Sequence, residues 1–125
     1  MVTVAGTVGA SFSLSALTIT GNDLSLASLG GASAGISGAT LVTAASAGAD
    51  TGSLAFTGTT YNANAQTYTA PSGQTLLVNA GASTTFSSTA DAITFTTGTL
   101  SLADGSHLVV STAGGAIGAV GGIRG

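Results

Sequence analysis

The stretch from residue 75 to residue 112 constrains the fold most, because it consists of short apolar or alternating runs that Gly, Asn, Asp and Ser interrupt. Residues 93–96 and 100–103 alternate apolar and small polar side chains. Alternation with a period of two, closed by turn formers, predicts a half-buried β-strand. Residues 76–78 and 108–110 are continuous apolar runs, as in strands that are buried more deeply. The stretch therefore predicts strands joined by turns, with no room for a helix.

Composition argues against both helix and disorder in the rest of the chain. Gly, Ala, Ser and Thr make up about two thirds of the residues, and charged helix formers are almost absent. Disordered chains are poor in aliphatic residues and rich in charge or proline, whereas 44% of these residues are hydrophobic and only one is proline. We therefore expect an all-β chain whose 125 residues form a single domain over 1–125.

Charge and cysteine content exclude several classes of partner and site. The chain has one basic and four acidic residues and a net charge of −3, so we expect no nucleic-acid partner and no attraction to anionic membranes. The absence of cysteine excludes disulfides and thiolate metal sites. No run approaches the ~18 apolar residues of a membrane span. Because the N-terminus also lacks signal-peptide features, the chain is expected to be mature or cut from a longer protein.

Many short strands at close spacing are compatible with a sandwich, a barrel or a solenoid. Residues 54–59 resemble residues 93–99, and residues 47–51 resemble residues 80–84, but no fixed period spans the chain. A sandwich needs large side chains to fill a layer ~10 Å thick, and the chain has no Trp. We therefore predict a parallel β-helix, or β-solenoid, of about six irregular coils with a narrow interior of small aliphatic residues. A β-sandwich of the adhesin type is the alternative.

Three strings, at residues 21–26, 60–68 and 98–105, resemble the filamentous-haemagglutinin-type exoproteins of bacteria. Those are large secreted or cell-surface proteins. The resemblance is compositional and covers most of the chain, and it implies a right-handed parallel β-helix with adhesive or fibre-forming roles. The motifs of that family's amino-terminal secretion domain are missing here. The chain therefore resembles a segment of the repetitive shaft, and an extracellular or cell-surface location follows from the resemblance.

One cluster of side chains has the composition of a carbohydrate contact, with rings to stack on a sugar and amides to bond its hydroxyls. Its members are Tyr61, Asn62, Asn64, Gln66 and Tyr68. A separation of seven residues puts the two rings on opposite faces of a straight strand, although a corner of a solenoid would change this. We interpret the cluster chiefly as core and corner packing, and a glycan-contacting patch is the alternative.

Threonines recur as T-x-T pairs at residues 18–20, 67–69 and 94–96. Two residues apart on a strand, the hydroxyls of each pair share one face. Stacked pairs on a flat solenoid face can order water and bind ice, but this needs a regular repeat, which the sequence lacks. Ordinary β-propensity and cross-strand threonine ladders are the favoured interpretation.

No set of residues predicts catalysis, a cofactor or a metal. His107 is the only histidine, and Asp104, Ser106 and His107 are too close in sequence to form a catalytic triad. Four aspartates, namely Asp23, Asp50, Asp91 and Asp104, are interpreted as turn residues rather than calcium ligands. Gly114, Gly118 and Gly122 share the spacing of a membrane-helix packing motif, but they are better explained by a glycine-rich strand or coil.

The sequence therefore predicts a non-enzymatic, structural or adhesive β-solenoid segment of a bacterial exoprotein. Its expected partner is a second copy of itself or the rest of a parent chain, joined by end-to-end stacking into a filament or longer shaft. Host or surface glycans are further candidate partners. A glycan- or ice-binding solenoid module is the alternative function.

Overall fold

The computed structural model describes residues 1–46, 52–119 and 123–124, and within them the chain is all β-strand and loop. The strands in chain order are β1 (Val2–Val4), β2 (Leu17–Gly21), β3 (Leu24–Leu26), β4 (Thr40–Ala44), β5 (Leu54–Phe56), β6 (Thr60–Asn62), β7 (Gln66–Thr69), β8 (Thr75–Val78), β9 (Ser83–Ser87), β10 (Ile93–Thr96), β11 (Thr99–Leu102), β12 (His107–Ser111), β13 (Ile117–Ala119) and β14 (Ile123–Arg124).

Successive coils of the chain stack in parallel and form three sheets. Sheet 1 has the order β1-β3-β5-β8-β11-β14, sheet 2 has the order β2-β4-β7-β10-β13, and sheet 3 has the order β6-β9-β12. Single parallel bridges from Val8 to Leu29 and from Leu29 to Tyr61 carry sheet 3 back into the first two coils. The predicted parallel β-solenoid is therefore confirmed, and the sandwich alternative is wrong.

The coils differ in length, which explains why no period was visible in the sequence. Along sheet 1 the paired residues are Val2, Leu24, Leu54, Leu76, Leu100 and Ile123, so that the repeat is 22, 30, 22, 24 and 23 residues. The longest interval lies between β3 and β5. Because every interval exceeds the ~20 residues that six coils would allow in this chain, the chain completes about five turns and begins another, rather than the six predicted.

The interior is filled by aromatic rings as well as aliphatic side chains. Five of the six aromatic residues, namely Phe56, Tyr61, Tyr68, Phe86 and Phe95, are completely buried in the two middle coils. Phe56 lies at the centre, with its ring centroid 5.0 to 6.2 Å from the other four and nearly perpendicular to each. The expectation of a purely small aliphatic interior is thus wrong, since all three sheets direct rings into the same space.

Register places rings of adjacent coils above one another. Tyr61 pairs with Phe86, and their rings stack with centroids 4.5 Å apart. Tyr68 pairs with Phe95, and these rings stack at 5.6 Å. Edge-to-face and offset-stacked rings contribute about 0.5–1.5 kcal/mol per pair beyond the burial of their area. The aromatic contacts of the middle coils therefore stabilise the core and fix the register of these coils.

Truncating the central ring should destabilise the fold strongly. Phe56→Ala leaves a cavity among four other rings, and a buried Phe→Ala change costs about 3–5 kcal/mol. Chemical denaturation followed by circular dichroism measures this loss. Phe12→Ala is the matched control, because Phe12 is 86% exposed and its removal should change the unfolding free energy by less than about 0.5 kcal/mol. Equal effects of the two changes would contradict the assigned core.

Candidate functional site

The predicted glycan-contacting residues lie mostly in the core. The side chains of Tyr61, Gln66 and Tyr68 are buried, and the two ring centroids are 6.5 Å apart because the chain turns a corner between β6 and β7. Buried rings present no face to a sugar, so a glycan contact through them is ruled out by their position. Asn62 and Asn64 are half-buried, and their amide groups donate to the carbonyl oxygens of Gly31 and Ser37. The favoured interpretation as core and corner packing describes their positions.

Gln66 is the polar centre of this corner. Its Nε2 donates to the carbonyl oxygens of Ser87 at 2.8 Å and Ala63 at 2.9 Å, and lies 3.2 Å from that of Tyr61. Its Oε1 accepts a hydrogen bond of 2.7 Å from the hydroxyl of Tyr68. Buried polar groups are costly unless they are paired. Gln66 thus ties β6, β7 and the next coil together from inside the solenoid.

The tyrosine hydroxyls are likewise engaged inside the protein. The hydroxyl of Tyr61 donates to the carbonyl oxygen of Leu26 at 2.6 Å and accepts from the amide of Gly58 at 3.0 Å. Burial raises the pKa of both Tyr61 and Tyr68 well above the usual value, because the charged phenolate would be poorly solvated. Both phenols therefore stay protonated and serve as structural donors.

The residues considered for catalysis occupy a turn on the edge of the stack. The hydroxyl of Ser106 accepts a hydrogen bond from the amide of Gly81 in the coil before it, at 3.1 Å. His107 is exposed at the start of β12, where it pairs with Ser83. In the part of the chain that the structure describes, no three His, Cys, Asp or Glu side chains come together and no cavity is present. Asp50 lies outside the described residues.

Asp23 has a role that sequence analysis did not assign. Its Oδ1 accepts hydrogen bonds from the amides of Gly52 at 2.9 Å and Ser53 at 3.0 Å, and lies 3.4 Å from the Ser53 hydroxyl. The backbone hydrogen bond from Ser53 is the largest cause that lowers the pKa of Asp23 below its ordinary 3.8. The carboxylate thereby anchors the start of β5, the strand that follows the longest interval between paired coils.

The T-x-T pairs are brought into register on the outer face of sheet 2. One column contains Thr20, Thr43, Thr69 and Thr96. The parallel column contains Thr18, Leu41, Thr67, Thr94 and Gly118. We call these two columns the threonine face. The regular array that the sequence lacked is therefore present in space, because the coils absorb differences of length in their loops.

The described part of the glycine motif is strand and turn rather than helix. Gly114 has a φ of 116° in a turn, and Gly118 lies in β13, where it pairs with Thr94. Gly122 lies outside the described residues. The alternative of a helix-packing motif is thus wrong for the described positions. None of the described segments is a helix long and apolar enough to cross a membrane.

The chain was compared with protein-family models, with curated proteins and with solved structures, and no match was found in any of the three.

Replacing Gln66 by an apolar side chain of similar volume should lower the unfolding free energy, because buried polar groups lose their partner. Gln66→Leu leaves three carbonyl oxygens and the Tyr68 hydroxyl without this partner, and each unsatisfied buried group costs about 1–3 kcal/mol. We expect a total loss of at least about 2 kcal/mol in unfolding free energy by denaturant titration. Gln74→Leu is the control, because Gln74 is half-buried and its side chain makes no hydrogen bond with the described residues. A Gln66→Leu protein as stable as the Gln74→Leu protein would contradict the corner assignment.

Acid should weaken the contribution of the Asp23 carboxylate to the stability of the fold. Because folding lowers the pKa of this carboxyl, its stabilisation is present above pH 3.8 and is lost as the pH falls through the folded pKa. Wild type should therefore exceed Asp23→Ala in melting temperature near neutral pH, and the difference should shrink below about pH 4. The control Ser72→Ala alters an exposed turn residue without a titratable group and should leave the melting temperature close to that of wild type at both pH values. A difference independent of pH would exclude the carboxylate as its cause.

Proposed function

We propose that the chain is a structural β-solenoid segment of a bacterial surface or secreted exoprotein, and that another coil stacks on its first coil. The observation that carries the proposal concerns the columns of register-paired residues whose side chains point into the solenoid, which we call inward columns. Along one such column the exposed fraction of the side chain falls from the first coil to the second. Val2 is 42% exposed, and its register partner Leu24 in the next coil is 3% exposed. Leu14 is 41% exposed, and its partner Ile36 is fully buried. One further coil is thus enough to bury an inward residue.

The other end of the stack has the same property. Ile117 in β13 is 56% exposed, although its register partner Ile93 is fully buried. Leu108 and Val110 in β12 are half-buried, whereas the ring of Phe86 beneath Val110 is buried. Both ends therefore present apolar side chains in the same columns that form the core, and these columns are suited to meet each other head to tail.

Hydrogen-bonding groups at the first coil support the same mode of stacking. The amides of Val2 and Leu17 donate to carbonyl oxygens in the second coil. Because alternate residues of a parallel strand bond to opposite neighbours, the backbone groups of Thr3, Thr18 and Thr20 face away from the described stack. Edge strands of this kind are usually blocked by charge, proline or a bulge. In β1 and β2 the sequence supplies none of the charges or prolines.

Electrostatics offer little resistance to such stacking. A net charge of −3 over 125 residues gives weak repulsion between copies. Burial of an exposed aliphatic side chain contributes about 1.5–3 kcal/mol when complete, and several such side chains meet at each junction. A head-to-tail contact is heterologous, so that repetition leads to an open filament rather than a closed dimer. A preceding coil of a longer chain would satisfy the same surface.

The adhesive and extracellular parts of the proposal rest on composition. Extracellular shafts of the exoprotein type are rich in Gly, Ala, Ser and Thr, which this chain resembles, and it has no cysteine. The cluster around Tyr61 and Tyr68 gives no support to adhesion, because its rings are buried. Adhesion is therefore proposed as a property of an assembled shaft and not of one binding site on this segment.

A pair of matched substitutions tests the stacking. Val2→Asp places a charge in an inward column at the open end, whereas Thr85→Asp places the same charge on the outward face of sheet 3, in the middle strand β9. We expect wild type to form rods whose length increases with protein concentration, as measured by light scattering and electron microscopy. Val2→Asp should shift assembly to at least about tenfold higher concentration, because a buried unpaired charge is costly. Thr85→Asp should assemble like wild type.

Two results would overturn the proposal. One is a wild-type protein that remains a monomer at high concentration with its first coil intact by amide exchange. The other is an assembly that Thr85→Asp disrupts and Val2→Asp does not, since this would place the contact on a lateral face.

A further inference from the structure

The threonine face differs from the rest of the surface in both regularity and chemistry. Four successive coils contribute a row to it, and the seven threonines are Thr18, Thr20, Thr43, Thr67, Thr69, Thr94 and Thr96. Strand neighbours lie ~4.8 Å apart, and residues i and i+2 of one strand lie ~6.6 Å apart. The register pairs continue across all four strands without a bulge. The result is a two-dimensional lattice of methyl and hydroxyl groups.

The hydroxyls of this face make no hydrogen bond within the described residues. Hydroxyls at the corners behave differently. The hydroxyl of Thr57 donates to the carbonyl oxygen of Leu26 in the preceding coil, and those of Ser88 and Thr112 each donate to a carbonyl oxygen three residues further along the chain. The threonine face thus keeps its donors and acceptors for something outside the chain, whereas the corner hydroxyls are used by the fold.

The chemistry of the face fits ordered water rather than a charged or bulky ligand. Its outward residues include no charged side chain, and a cleft for a small molecule is missing from the described surface. Rigid rows at ~4.8 and ~6.6 Å are close to the oxygen repeats on surface planes of hexagonal ice. Methyl groups between the hydroxyls disfavour disordered water, while the hydroxyls can hold water at lattice positions. We propose that the threonine face binds ice.

Two positions interrupt the lattice and allow the proposal to be tested by gain as well as loss. Leu41 stands between Thr18 and Thr67 in its column, where it is 46% exposed. Gly118 continues the same column beyond Thr94, and a Cβ placed there would lie 3.5 Å from the Thr94 methyl group, an ordinary contact. Leu41→Thr would give β4 a second outward threonine beside Thr43. Gly118→Thr would extend the threonine column from β10 to β13.

The loss experiment places a charge at the centre of the lattice. Thr67→Lys introduces a hydrated cation between Leu41 and Thr94, and Thr85→Lys is the matched control, since Thr85 faces outward from sheet 3 between Thr60 and Val109. Ice recrystallisation is followed in frozen films over a series of protein concentrations. Thr67→Lys should require at least about tenfold more protein than wild type to arrest crystal growth, whereas Thr85→Lys should match wild type.

The gain experiment separates ice binding from a merely structural threonine ladder. Leu41→Thr alone and together with Gly118→Thr should lower the arresting concentration about two- to fivefold, because more lattice positions are matched. Circular dichroism and light scattering confirm that each variant keeps the wild-type fold and assembly state. A structural ladder would give changes in stability without any change in crystal growth.

Besides unchanged crystal growth in the gain variants, any of three results overturns the proposal. Wild type without effect on recrystallisation at any attainable concentration is the first, and equal losses from Thr67→Lys and Thr85→Lys are the second. The third is a lateral dimer that Thr67→Lys dissociates while ice growth is unaffected, which would show that the face binds another copy. None of these results bears on stacking at the ends, because the face lies on the side of the solenoid.

Discussion

Parallel pairing between one coil and the next is the constraint on which the rest of this structure depends. A coil cannot bury its inward side chains by itself, and each acquires its cover from the coils above and below. Register therefore decides both the interior and the exterior. The same pairing that stacks Tyr61 on Phe86 inside sheet 3 aligns Thr69 with Thr96 on the outside of sheet 2.

This dependence explains why the ends and the middle of the molecule differ. The middle coils have neighbours on both sides, and their five rings and the Gln66 amide are completely enclosed. The first coil has a described neighbour on one side only, and Val2 and Leu14 remain partly exposed. The stacking that we propose at the ends is the same interaction that forms the core, extended by one coil.

The all-β solenoid could be predicted from the sequence, because alternating runs and turn residues are local signals. Coil length could not, since the interval of 30 residues between Leu24 and Leu54 depends on how much loop each corner accommodates. The sequence favoured core and corner packing for Tyr61 and Tyr68, but it could not exclude an exposed patch. Rings seven residues apart converge only if the chain turns a corner between them, and local patterns do not place that corner. The contact of Asp23 with Ser53 joins residues 30 positions apart, which local patterns do not reveal.

Amide hydrogen exchange measures the central claim most directly, namely that each coil is stabilised by the coil stacked on it. In dilute monomer the amides of Thr3, Thr18 and Thr20 should exchange rapidly, since they face away from the described stack, while those of Phe56 and Tyr68, which point to strands inside the stack, should exchange slowest. At assembling concentrations the first three should become protected. Rapid exchange of Thr3, Thr18 and Thr20 in the assembled state would contradict coil-on-coil stacking at this end.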